Sequence, residues 1–382
     1  MKMTKFLPFA KQSIDEQDIN AVIQALKQDY ITRGATVQAF ERAIADLVGA
    51  DFAVAFSSGS SALYAAYKAA KVTSFDKIIS TPNTFIATVA GGAARGATVH
   101  LVDINEYGNM DIDLLDEKVL APMSRGKTFI VPVHFAGVAI DMQKLSSMIR
   151  AQDVVIIEDA AHALGSQYPD GTFVGSCAYS DMTIFSFHAS KNIACGEGGM
   201  VTTNDPDLFS RLKQLRNSGI ENSSSWYYEV TDISCNGHMT EMQAALGLSQ
   251  LQNLSEFQKK KNTLISVYRE LLENVPGIEP NNCDVDMRTH YHLFEVHIDY
   301  ELFNTSRSAV MDTLLEEGIG SQYHYVPLYN HPVLNFVCKQ KKELFPIMEV
   351  HFQKALSLPL SVRMEEGDVE RVVTALRKAI LQ

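Results

Sequence analysis

Seven short runs rich in apolar and β-branched residues, at 52–56, 77–81, 98–103, 128–135, 153–158, 181–187 and 199–203, dictate the layout of the first part of this chain. They lack the clean polar alternation of a strand with one wet face. Each therefore predicts a strand covered by helices on both sides. Val154-Val155-Ile156-Ile157 is the plainest case. Helical segments separate the runs, and that alternation predicts an α/β domain built on a mostly parallel sheet.

Residues 13–16 predict a capping box, with Ile19, Val22, Ile23 and Leu26 following at helical spacing. Residues 241–275 predict one long helix interrupted only by Gly247, with Lys259-Lys260-Lys261 as a solvated turn of it and Pro276-Gly277 as its stop. A smaller α+β unit follows: a strand at 291–298, a helix at 307–317, a strand near Gln322 and a final helix at 366–380. The expected division is 1–257 and 258–382. No internal repeat or low-complexity tract interrupts it.

At 382 residues the chain can bury a large core, and 46% hydrophobic with 20% charged residues is ordinary for a soluble protein. A net charge of −12 argues against a general nucleic-acid binder, whose affinity rests on Lys and Arg. Local potential in a cleft can still attract an anion. The five cysteines are widely spaced without a Cys-x-x-Cys pair, so neither a metal site nor a disulfide scaffold is expected and a reducing cytoplasm suits them. Residues 1–9 lack a signal-peptide core, and no run approaches the ~18 apolar residues of a membrane span.

Chemistry concentrates at three places. Phe185-Ser186-Phe187-His188-Ala189-Ser190-Lys191 delivers a lysine from an apolar strand into the turn Gly196-Glu197-Gly198-Gly199. Burial lowers a lysine's pKa and makes it a usable nucleophile. Glu158-Asp159 ends a buried strand, where open α/β sheets hold ligands, although an Asp there also suits a helix cap. A pyridoxal phosphate (PLP) site needs such an acid to keep the pyridine nitrogen protonated. Ser57-Ser58-Gly59-Ser60-Ser61 predicts a tight turn before a helix at 62–70, which can form an anion site or an ordinary cap.

In this order, Ser-Ser-Gly-Ser-Ser-Ala-Leu, Glu-Asp-Ala-Ala-His, Ser-Phe-His-x-x-Lys and Gly-Glu-Gly-Gly resemble the DegT/DnrJ/EryC1/StrS sugar aminotransferases, over nearly the whole chain. The resemblance implies a fold-type I PLP transferase, aspartate aminotransferase-like, with a large PLP-binding domain and a small C-terminal α+β domain. Stretches 162–166, 187–189, 245–251 and 324–327 resemble the family's pseudaminic acid branch. That branch uses glutamate to aminate C4 of a UDP-linked 2-acetamido-2,6-dideoxy-4-ketohexose.

By resemblance, Lys191 is the Schiff-base lysine and proton shuttle, and Asp159 pairs with the pyridinium nitrogen. Phe85 stacks on the ring, with core packing as its plain alternative. Gly59, Ser60 and Ser186 hold the phosphate. His162 stands near the phenolic oxygen, where many members carry Gln, and a structural histidine is its rival. Asn236 reaches the phosphate of a neighbouring subunit, which implies a homodimer with shared sites. Gly237 and His238 depart from the family's usual aromatic and Arg. Tyr30, Thr32, His324 and Tyr325 match segments lining the sugar-nucleotide pocket. Three alternatives stand beside this reading: a dTDP- or GDP-linked keto-sugar as substrate, the family's dehydratase branch, and a non-catalytic PLP-binding regulator. Lys191 opposes the dehydratases, which carry His there.

Overall fold

A computed structural model of the chain describes residues 6–121, 125–149, 154–222, 224, 226–281 and 288–381. Cys283 and residue 153 of the fifth predicted strand lie outside these. Strands β1 (Phe52–Phe56), β2 (Lys77–Ser80), β3 (Thr98–Leu101), β4 (Thr128–Ile130), β5 (Val154–Asp159), β6 (Met182–Ser186) and β7 (Gly199–Thr203) form one sheet, ordered β1-β7-β6-β5-β4-β2-β3. Every one of the seven predicted runs supplies a strand of it. The sheet is parallel except at β7, which pairs antiparallel with both β1 and β6.

The lack of polar alternation has the expected cause. Ala53, Ala55 and Phe185 feed a core on one face, while Val54, Phe56 and Ile184 feed a second core on the other. Around the sheet lie α1 (Glu16–Leu26), α2 (Ala35–Val48), α3 (Gly59–Ala69), α4 (Ala87–Ala93), α5 (Glu117–Leu120), α6 (Met142–Ile149), α7 (Pro206–Arg216) and α8 (Glu241–Gln252). A small ribbon, β8 (Ile220–Asn222) and β9 (Tyr228–Val230), precedes α8.

The cap of α1 is Asp15, whose carboxylate reciprocates with Asp18, two residues beyond the expected Ser13. Asp18 and Ala25 bury that helix, with Asp18 accepting from Gln250 Nε2 at 2.5 Å, whereas Ile19, Ile23 and Leu26 stay exposed.

The long helix predicted at 241–275 is two. Asn253 leaves helical geometry (φ −97°, ψ 1°) between α8 and α9 (Leu254–Leu272), while Gly247 stays helical and packs against Phe40 and Cys195. The second unit contains α10 (Arg307–Glu316), α11 (Pro346–Lys354), α12 (Glu366–Ile380) and an antiparallel sheet, β10 (Ile278–Asn281), β11 (Phe294–Ile298) and β12 (Ala355–Leu358). Its core joins α9, α12 and β11 through Tyr268, Leu376 and Val296. The expected boundary at 257/258 falls inside α9, whose Leu254 packs with the large sheet and whose Leu264 packs with the small one. Residues 328–348 return to the large sheet, where Leu328, Leu334 and Phe345 join its second core. Near Gln322 there is a single bridge to Ser357 rather than a strand.

No helix among the described residues is long and apolar enough to cross a membrane.

Candidate active site

A cleft of about 380 Å³ opens at the carboxyl ends of β5 and β6, a size that suits a cofactor-sized ligand. Lys191, Asp159, His162, Phe85, Gly59, Ser60, Ser186 and Tyr325 all line it. Segments nearly 270 residues apart in sequence thus meet at one point.

Lys191 follows β6 in a turn closed by its own N–H on His188 O (2.8 Å). Part of its surface stays open to the cleft. Loss of water around Nζ nevertheless lowers its pKa to about 8, against the opposing pull of Asp159. At pH 7 about a tenth of such an amine is uncharged, compared with roughly one part in 3,000 for an ordinary lysine. Labelling of Lys191 by a small amine-reactive reagent, followed by mass spectrometry in cofactor-free protein, should be half-maximal near pH 8. A midpoint at the ordinary lysine value would contradict this environment.

Asp159 is the last residue of β5 and is 5% exposed. Its Oδ2 accepts from Thr88 Oγ1 at 2.7 Å, and Thr88 in turn meets Thr84 Oγ1 at 2.6 Å. Oδ1 accepts the Ala161 N–H at 3.1 Å. The chain turns after β5 instead of entering a helix, so Asp159 is no helix cap.

His162 has one tautomer available. Its Nδ1 accepts the Ala136 N–H (3.3 Å), so Nε2 carries the proton and donates it to Tyr325 Oη (3.0 Å). Burial first, then the Lys191 charge, pushes its pKa well down, so the ring is neutral.

Helix α3 begins at Gly59, three residues before the predicted start. Ser58 is its cap, in a reciprocal capping box with Ser61. Gly59 and Ser60 therefore occupy the first helical turn, where backbone N–H groups point outward and attract anions. A Cβ on Gly59 would stand 2.9 Å from Ser186 Cβ, so only glycine leaves the backbone close to that hydroxyl. Phe85 lines the cleft with 57% of its surface exposed, so it is not a core residue.

Residues unremarked in the sequence also reach the site. His292 Nε2 lies 3.4 Å from Lys191 Nζ, and its ring centroid lies 4.4 Å from that of His162. Its Nδ1 is buried without a hydrogen-bond partner among the described residues. Lys261, expected in a solvated turn, is 5% exposed and points inward. Its ammonium donates to Asn192 Oδ1 (2.9 Å) and Tyr291 O (3.1 Å), and burial with the nearby Lys191 lowers its pKa to about 7. Asn192 Nδ2 donates to the carbonyls of His162, Leu164 and His290, tying the lysine turn to both units. No motif marked His292 or Lys261. His292 sits in a run with strand periodicity, and Lys261 sits among two wet lysines.

Four expected residues lie apart from this cleft. Tyr30 is 73% exposed, Thr32 bridges to Thr240, and Asn236 is exposed with Oδ1 accepting from the His238 N–H (3.2 Å). His324 turns to Ser357 Oγ (2.9 Å) instead of the cleft. Beside Asn236, a basic concavity carries Arg33, Lys213 and Arg216. His238 there is uncharged, its pKa lowered to about 4 by burial and then by the two arginines.

The residues present fit PLP: a water-poor amine, a buried carboxylate, an open aromatic face and a helix N-terminus whose glycine a Cβ would obstruct. Comparison with known proteins agrees. Residues 12–377 match the DegT/DnrJ/EryC1/StrS aminotransferase family. The chain is 33% identical over 389 residues to the spore coat polysaccharide biosynthesis protein SpsC of Bacillus subtilis, covering 99% of this chain and 98% of that one. It is also 33% identical over 372 residues to the UDP-4-amino-4,6-dideoxy-N-acetyl-beta-L-altrosamine transaminase of Campylobacter jejuni, covering 97% and 96%. Spr1654 of Streptococcus pneumoniae in its PLP form superposes with a TM-score of 0.88 at 25% identity, over 98% of each chain.

Proposed function

This chain belongs to the DegT/DnrJ/EryC1/StrS aminotransferase family, and we propose that it holds PLP at Lys191 and transfers an amino group from glutamate to C4 of a UDP-linked 2-acetamido-2,6-dideoxy-4-ketohexose, in pseudaminic or a related surface-glycan pathway. One observation carries this reading: Lys191, Asp159 and the start of α3 line one cleft, which supports covalent, electronic and phosphate anchoring in a single site.

When bound, the cofactor supplies an electron sink that acidifies the carbon bearing the transferred amine. The protein supplies the rest. Asp159, kept in place by Thr88 and the Ala161 N–H, offers a fixed carboxylate to a ring nitrogen. Phe85 offers a face, and the α3 N–H groups with Ser186 offer donors to a phosphate. Lys191 Nζ, with a pKa of about 8, both holds and releases a proton near neutral pH, as an acid–base group must. His292 Nε2 gives the ammonium an acceptor within the cleft wall. Neutral His162 keeps Tyr325 oriented without adding a charge beside the amine.

Asn236, Tyr30 and Thr32 do not line their own cleft, which fits a homodimer in which they complete the partner's site. In that arrangement Arg33 and Lys213 supply the positive charge that His238 lacks, while Arg216 is paired with Glu41.

The test is amino transfer from L-glutamate to a panel of UDP-, dTDP- and GDP-linked 3-keto and 4-keto sugars, with 2-oxoglutarate and aminated product quantified. Turnover should be highest with the UDP-linked 4-keto sugar. Faster turnover of a dTDP- or GDP-linked sugar would replace the substrate, and glutamate-independent behaviour across the panel would replace the activity.

A further inference from the structure

Strand β11 alternates, sending Phe294, Val296 and Ile298 into the core of the second unit. Glu295 and His297 must then face the other way. Water normally meets the polar side of such a strand. Here α11 covers it and brings His351 over the pair. The side chain of Glu295 is fully buried, that of His351 is 3% exposed and that of His297 is 22% exposed. Their donor atoms converge. His297 Nε2 lies 3.1 Å from His351 Nδ1, and Glu295 Oε1 lies 3.5 Å from His351 Nε2 and 3.9 Å from His297 Nε2. One donor atom from each residue lies within 4.8 Å of the other two.

We propose that Glu295, His297 and His351 bind a divalent transition-metal ion of the Zn²⁺ class, at a site separate from the Lys191 cleft.

The donor set decides the class of ion. Two imidazole nitrogens and one carboxylate oxygen suit Zn²⁺, Co²⁺ or Ni²⁺ and are too poor in oxygen for Ca²⁺ or Mg²⁺. With Zn–N of ~2.0–2.1 Å and Zn–O of ~2.0–2.2 Å, tetrahedral ligand atoms stand ~3.4 Å apart. The separations from His297 Nε2, 3.1 Å to His351 Nδ1 and 3.9 Å to Glu295 Oε1, bracket that value. The third separation, between Glu295 and His351, is within 4.8 Å, so rotation of these side chains must bring them closer, by on the order of an ångström at most, to reach the tetrahedral spacing and close the site.

The surrounding shell also fits. If His351 ligates through Nδ1, its Nε2–H faces the carbonyl of His324 at 3.4 Å. Metal-bound histidines are commonly oriented by such a carbonyl. His297, the most open of the three, leaves a way in for the ion and for a water as fourth ligand. An ion there would fasten α11 and β11 to the backbone of His324, next to Tyr325 of the cleft. Without an ion, the same contact is a single hydrogen bond between two rings.

The full-length chain, stripped with a chelator and dialysed, is given Zn²⁺ alone, and metal per chain and melting temperature are measured. Expected are about one bound equivalent and a melting temperature raised by several degrees. His297→Ala should lose the bound equivalent, and Glu295→Gln, which keeps the buried volume, should bind at least ~10-fold more weakly. Circular dichroism identifies a variant that fails to fold, in which case the other carries the test. A parent chain that retains no zinc after dialysis, or undiminished uptake by the folded variants, overturns the site.

Discussion

Lys191→Ala should lower amino transfer by at least ~10⁴-fold, the upper range of what one positioned acid–base group supplies, because it removes the nucleophile and the proton carrier together. Lys191→Arg should be equally inactive. Arginine keeps a cation beside Asp159 but does not release its proton. The change leaves the fold intact, since Lys191 borders an open cleft and anchors its turn through its backbone. The measurement is 2-oxoglutarate formation by purified variants with matched melting curves. Activity within ~10²-fold of the parent would remove Lys191 from the chemistry.

Asp159→Asn should cost about 10²–10³-fold, the scale seen when one preorganised electrostatic group is removed from an active site. The substitution is nearly isosteric: its Oδ1 can still accept the Ala161 N–H, while its Nδ2 would donate to Thr88 Oγ1, which then turns its own proton toward Thr84 Oγ1. It removes the negative charge at the end of β5 and reverses one hydrogen bond, without changing the side chain's size. The loss should therefore fall on turnover and not on folding, and phosphate-side binding through α3 should survive. Equilibrium dialysis with PLP separates the two effects. A variant with parental turnover would show that the charge is dispensable.

The large sheet was legible because its strands are wet on neither face, and runs such as Val154 to Ile157 have no other home. The site was legible where a residue must do something unusual. Gly59 leaves a gap, Asp159 ends an apolar strand, and Lys191 stands in the turn that follows another. What escaped depends on partners distant in sequence. Lys261 is buried because Asn192 and Tyr291 O accept its ammonium, which composition around 259–261 cannot show. His292 matters through a contact with Lys191 across the two units. Strand β10 contains Pro280, which argues against a strand unless it lies at an edge, and β10 is an edge. The exposed Ile19, Ile23 and Leu26 carry correct helical spacing, but spacing cannot say what covers a stripe.

The place of β1 has a consequence during synthesis. Among the described residues its only sheet neighbour is β7, with Phe52 opposite Thr203 and Phe56 opposite Gly199. As the chain leaves the ribosome, the strand leading into the turn at 57–61 emerges long before its partner exists. At ~5–20 residues per second, the wait from Phe56 to Gly199 lasts roughly 7–30 s. Throughout that interval an apolar strand has an unpaired backbone on both sides, the condition that recruits chaperones and promotes aggregation. Slower elongation through residues 57–198, or depletion of chaperones that bind nascent chains, should reduce soluble yield more than any change downstream of Thr203.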